Sequence, residues 1–184
     1  MPLEVRLAVS SMFALFLGTN LAAALPTTEV PNSEPAYLAK VKTAAPEPIV
    51  AKANIVMKQA DGSMKTLQSG NNGYTCMINA AGTPLCADEN GLAWIKALAA
   101  KQDPPDKVGF IYMLAGDTGT NNADAHDETH QHWVATGPHV MVVGPMVKEM
   151  AGYSRTVDVV DPTQPYAMYP GTRYEHLMLP VAEK

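Results

Sequence analysis

Hydrophobic positions along this chain come in short runs of different texture, and each texture predicts an element. Residues 54–59 and 63–67 are strand-like and flank Ala60-Asp61-Gly62, the Asp-Gly pairing that favours a tight hairpin. Asn71-Asn72-Gly73 marks a second turn, and 74–78 continues as a strand. From Asp88 the period changes. Leu92, Ile95, Leu98 and Ala99 fall on one helical face with Trp94 at its border; Asp88 can cap this helix and Glu89 suits its first turn. The helix is expected to run to about Lys101, because Pro104-Pro105 prevents continuation. Three later runs, 108–114, 139–143 and 176–179, are apolar without alternation and read as strands covered on both faces. A short helix is expected over 146–150, and Pro162, Pro165 and Pro170 make 161–172 a loop. The sum is an α+β domain, a small, mostly antiparallel sheet packed by one main helix and tied by one disulfide.

The first 24 residues follow another logic. Arg6 precedes an apolar run over 7–17, and Ala22-Ala23-Ala24 follows ahead of Leu25-Pro26, the layout of a secretory signal. The run is short of the roughly 20 apolar residues a membrane span needs, and no later stretch approaches that length. Pro26, Pro31, Pro35, Pro46 and Pro48 recur among polar residues in the next segment, which reads as an extended, disordered linker. The expected organisation is therefore a signal peptide over 1–24, a proline-rich linker over 25–53 and a single globular domain over 54–184. The mature product is expected to be secreted or periplasmic, without a transmembrane segment.

Composition removes some function classes. A hydrophobic content of 47% supports a packed core and argues against a disordered protein. The formal charge is −5 and no basic run exists, which speaks against nucleic-acid binding. Export also changes the meaning of Cys76 and Cys86. In an oxidising compartment they are expected to pair, and a loop of that length would stabilise the fold by about 2–3 kcal/mol. The spacing is not Cys-x-x-Cys, so a redox role is the weaker alternative.

Several segments carry a resemblance. N-G-Y-T-C over 72–76, C-A-D-E-N-G-L-A-W-I-K-A over 86–97, V-G-F-I-Y-M-L-A-G over 108–116, G-P-H-V-M-V-V over 137–143 and G-T-R-Y-E-H-L-M-L-P-V over 171–181 together resemble a group of uncharacterised secreted bacterial proteins. The resemblance covers roughly residues 70–181. It implies a shared exported domain with Cys76, Cys86, His139, Met141, His176 and Met178 at matching positions, and it implies no activity. His126, His130 and His132 lie outside the pattern.

The chemistry worth testing lies in two of the apolar strands. His139 and Met141 are two residues apart, as are His176 and Met178, and residues i and i+2 of a strand share a face. Were the strands neighbours, two imidazoles and two thioethers would meet on one patch, with Met113 able to join them. That donor set suits Cu(I), and thioethers stay usable where thiolates oxidise. The competing reading keeps these residues in the core, with methionines as fillers and histidines satisfied by backbone carbonyls or by Tyr174 and Glu175.

A second cluster lies in the polar loop over 116–132. His126 and His130 have i,i+4 spacing, and His132, Asp124, Asp127 and Glu128 add donors, so Zn or Ni binding and a metal-dependent hydrolase are conceivable. The chain lacks the Glu after the first His that metalloproteases use, since Asp127 stands there. The bland alternative is a solvated loop. Asp117-Thr118-Gly119 matches an aspartic-protease triplet too short to weigh, and there is no G-x-S-x-G elbow or phosphate loop. The sequence therefore favours a non-enzymatic exported protein that binds a ligand or partner, its sharpest version a periplasmic soft-metal (copper) binder using His139, Met141, His176 and Met178. The rivals are a hydrolase built on the 117–132 loop and an envelope domain acting through contacts with another envelope protein.

Overall fold

The computed structural model describes residues 29–127 and 129–181. The signal expected over 1–24 lies outside the described residues. Among those described, no helix is long and apolar enough to cross a membrane.

The centre of the molecule is one eight-stranded sheet. Its strands are β1 (Asn54–Lys58), β2 (Met64–Gln68), β3 (Thr75–Ile78), β4 (Pro84–Ala87), β5 (Gly109–Met113), β8 (His139–Val143), β9 (Tyr166–Met168) and β10 (His176–Pro180), in the order β2-β1-β3-β4-β5-β8-β10-β9. The two short strands β6 (Thr120–Asn121) and β7 (Trp133–Val134) pair separately. The α+β class and the predominance of antiparallel pairing hold. The sheet is broader than expected and mixed, because β1 runs parallel to β3 through Asn54–Thr75 and Ile55–Cys76. The expected hairpin is β1–β2, turning through Gly62 at φ +85°. The three apolar runs become β5, β8 and β10, adjacent in the middle of the sheet. Only β5 alternates, with Phe110 exposed between Gly109 and Ile111.

Helix α3 (Glu89–Ala99) covers one face. Asp88 caps it as expected, its carboxylate accepting from the Gly91 amide at 2.7 Å. Leu92, Ile95 and Leu98 of the expected face pack on the core, but the fully buried positions are Gly91, Trp94 and Ala97, and Ala99 is exposed. The cause is a close approach. A Cβ on Gly109 of β5 would come within 2.2 Å of the Gly91 nitrogen, so the two glycines let the helix start lie directly on the strand. The close approach carries Trp94, the largest side chain of the helix, into the core at 2% exposure.

The segment expected to be a disordered linker is instead part of the fold from residue 34 onward. Helices α1 (Glu34–Val41) and α2 (Glu47–Val50) lie there, so three helices accompany the sheet rather than one main helix alone. The prolines misled because they occupy first-turn or capping positions, where no amide hydrogen is needed and a fixed φ is compatible with a helix. Tyr37 and Val41 are buried against Ile55, Cys76, Ile78 and Cys86 on the sheet face opposite α3. The Tyr37 hydroxyl donates to the Val56 carbonyl at 2.8 Å and accepts from the Ile78 amide at 2.9 Å, bridging β1 and β3 where their own pairing has ended. Cys76 and Cys86 form a disulfide between directly paired positions of β3 and β4.

Two smaller expectations also change. The short helix after β8 is a 3-10 turn over Pro145–Glu149. The loop over 161–172 contains β9, an edge strand between Pro165 and Pro170, where the missing amides are tolerated.

Candidate functional site

The neighbouring strands β8 and β10 carry the two His-x-Met pairs. They run antiparallel, Met141 opposite Met178 and His139 opposite Pro180. Antiparallel pairing thus joins the thioethers and separates the imidazoles. His139 and His176 stand at opposite ends of the row, four residues of strand apart, about 14 Å along the strand direction. All four side chains nevertheless line one cavity of about 250 Å³ under α3. Met113, paired with His139 across β5–β8, and Met168, paired with His176 across β9–β10, line it too. Trp94, Leu98 and Tyr169 complete the apolar wall, and Asp117, Thr118 and Thr120 edge it.

Both histidines are fully buried. Each ring is fixed by the carbonyl two residues before it: His139 Nδ1–H donates to Gly137 at 2.7 Å and His176 Nδ1–H to Tyr174 at 2.9 Å. A carbonyl only accepts, so each neutral imidazole carries its proton on Nδ1 and its lone pair on Nε2. Neither Nε2 has a hydrogen-bond partner among the described residues. Burial holds the His176 imidazole down at about 4, against the pull of the Tyr174 carbonyl. Burial also lowers His139, opposed by Gly137 and by Asp117. The rings are therefore neutral at pH 7 and present free bases to the cavity.

The two ends differ in surroundings. His176 lies among aromatic rings, 5.0 Å from Trp94 and 5.4 Å from Tyr169, centroid to centroid. His139 faces a carboxylate, with Asp117 Oδ2 3.8 Å from its Nε2. Asp117 Oδ1 is held by the amides of Gly119 and Thr136, both at 2.9 Å. Burial raises the Asp117 carboxyl above its ordinary range, opposed by these bonds and by His139. Above it, Tyr166 donates to or accepts from Thr136 at 2.7 Å, and burial pushes its phenol up to about 12. Asp117, Trp94, Met168 and Tyr169 escaped the sequence reading as site residues. The one available signal was Asp117 in an Asp-x-Gly turn, a spacing too common to single it out.

The loop histidines do not converge. His132 Nδ1 lies 2.7 Å from Asp158, His130 stacks on Trp133 at 4.2 Å, and His126 meets the Tyr174 ring edgewise at 5.5 Å. Asp127 serves its own turn, accepting from the Thr129 amide and hydroxyl, both at 2.8 Å. Among the described residues no three His, Cys, Asp or Glu side chains are grouped to hold a metal ion. The imidazole and thioether set of the cavity is a different kind of donor group, poor in carboxylates and rich in sulfur.

Comparison with known proteins finds no matching family model, no matching curated protein and no matching solved structure.

Proposed function

We propose that this chain is an exported soft-metal binding protein that takes Cu(I) in the cavity between α3 and the central strands, using the paired thioethers of Met141 and Met178 with one imidazole, His139 or His176, from either end of their row. The observation that carries the reading is the pair of buried Nε2 atoms, without a hydrogen-bond partner among the described residues, on two histidines that line a methionine-rich cavity. A buried acceptor left without a partner costs about 1–3 kcal/mol, so a core role alone leaves these rings at a loss. An ion bound at Nε2 removes that cost. The backbone carbonyl behind each Nδ1–H is the kind of outer support that orients a ligating imidazole. Thioethers select soft ions over Mg or Ca, and among the described residues no lysine or arginine lines this cavity to repel a cation. Export rests on the signal-like first 24 residues and fits the disulfide.

The test is Cu(I) affinity measured by competition with a chelator, in the mature protein and in a His139→Ala/His176→Ala double variant shown to be folded by circular dichroism. The expected result is one-to-one binding that the double variant loses. Affinity no better than that of a protein with generic surface histidines sinks the reading.

A further inference from the structure

We infer that the soft monovalent ion sits at the His139 end of the cavity, that Met113 supplies a further thioether there, and that Asp117 is the charge partner that draws the ion in and balances it. This rests on the soft-metal reading above and decides which of the two imidazoles serves it.

By sulfur alone the two ends are equal. His139 has Met113 opposite it on β5 and Met141 two residues along its own strand. His176 has Met168 opposite it on β9 and Met178 two residues along. Directly opposite residues on one sheet face have Cβ atoms about 4.5–5.5 Å apart, a span that long side chains close easily. Met141 and Met178, themselves opposite each other, are open to both ends.

Charge separates the ends. Imidazole and thioether are neutral donors, so Cu(I) keeps its full positive charge when it leaves water, and a buried charge is costly unless an opposite one lies close. At the His139 end, Asp117 Oδ2 lies 3.8 Å from Nε2. Its other oxygen accepts from the amides of Gly119 and Thr136, which fixes the carboxylate with Oδ2 toward the ring. The negative charge thus stands beside the ion's nitrogen ligand and acts through the field, with no bond to the metal required. At the His176 end the neighbouring acid is already committed. Glu175 Oε1 accepts from Arg155 Nε at 2.8 Å and Oε2 from the Gly171 amide at 2.7 Å. The His176 ring lies among Trp94 and Tyr169 instead.

Access points the same way. Met113 and Met141 keep 8% and 9% exposure, whereas Met168 and Met178 keep 4% and 1%. Ala81, Thr83, Asp117 and Thr118 line both this cavity and an adjoining hollow of about 230 Å³. Ala81 and Thr118 are exposed, so the junction of the two hollows lies at the surface, with Asp117 in its wall. Lys40, which lines the outer hollow, donates to the Glu29 carbonyl at 2.9 Å. A cation arriving from water therefore meets the Asp117 carboxylate before it meets sulfur, and reaches His139 before His176.

The test uses Ag+ as an air-stable stand-in for Cu(I). Nitrogen NMR of the imidazoles during a titration of the unmutated mature protein reads both rings and needs no variant to fold. Calorimetry then gives Ag+ affinity for His139→Ala, His176→Ala and Asp117→Asn, each shown to be folded by circular dichroism. Expected are a shift of His139 Nε2 with His176 Nε2 unmoved, an affinity about tenfold or more weaker in His139→Ala, and a change of less than about threefold in His176→Ala. Asparagine keeps an oxygen for the Gly119 and Thr136 amides and removes the charge. Asp117→Asn should weaken Ag+ by about fivefold or more while His139 Nε2 still shifts at saturation, a combination that a purely structural role would not produce. The inference is overturned if Ag+ shifts His176 Nε2 instead of, or as much as, His139 Nε2, or if Asp117→Asn leaves the affinity unchanged; the soft-metal reading survives either result. Absence of any Ag+ binding overturns that reading, and this inference with it.

Discussion

The five histidines divide between the cavity and the polar loop beside it, and the two groups are held in different ways. In the cavity, each Nδ1 is tied to the carbonyl two residues ahead of its strand and each Nε2 has no hydrogen-bond partner among the described residues. In the loop, each ring finds a separate neighbour: a carboxylate for His132, an indole for His130, a phenol ring for His126. His126 Nε2 is also without a hydrogen-bond partner among the described residues, yet there too no group of three His, Cys, Asp or Glu side chains forms around it. The loop is the richer of the two in apparent ligands by count. What separates a site from a collection of donors is whether the scaffold has already spent one nitrogen to aim the other.

Removing the aimed rings gives the largest expected effect. The folded His139→Ala/His176→Ala variant should lose ~100-fold or more in Cu(I) affinity, whereas a triple His126→Ala/His130→Ala/His132→Ala variant should change it by less than about threefold. Equal losses in both would dissolve the distinction. Next comes pH. The His176 ring is held at about 4 when folded, against about 6.5 when unfolded. The unfolded chain then binds the extra proton, so metal-free stability is full above about pH 6.5 and declines as pH falls toward 4, by ~3 kcal/mol in total. Urea titrations of the metal-free protein across this window should show the decline, and His176→Phe should reduce it, the remainder coming from His139, which burial also lowers.

Exchanging Met141 and Met178 for leucine separates sulfur from volume. A volume-conserving swap should cost under about 1.5 kcal/mol in stability, read from the urea midpoint, while Ag+ affinity measured by calorimetry falls by tenfold or more. Unchanged Ag+ affinity would return the methionines to simple packing. The smallest effect belongs to the loop: Asp158→Ala breaks an exposed pair with His132 and should shift stability by less than about 1 kcal/mol in the same assay.

Much of this contrast was legible from local patterns. Period-two spacing put His139 with Met141 and His176 with Met178, and the hairpin around Gly62 and the cap at Asp88 followed from side-chain chemistry at single positions. Features set by distant contacts were not. The antiparallel register that brings the sulfurs together and parts the rings depends on which strands neighbour which. Asp117 reaches His139 across a turn and a strand, and nothing in either neighbourhood announces the pair. Trp94 became central because two glycines far apart in sequence let α3 and β5 touch. The prolines of 34–53 were read for what they forbid, although at helix starts they forbid nothing.

Docking of α1 also sets a limit on processing. Tyr37 supplies the hydroxyl that serves the Val56 carbonyl and the Ile78 amide, and with Val41 it closes the apolar face over the disulfide. A cut ahead of Glu34 removes the Ser33 carbonyl that accepts from the Tyr37 amide but leaves the α1 side chains that pack on the sheet. A cut within α1 uncovers Ile55 and Ile78 and strips two strands of a shared partner, converting a maturation step into a degradation signal.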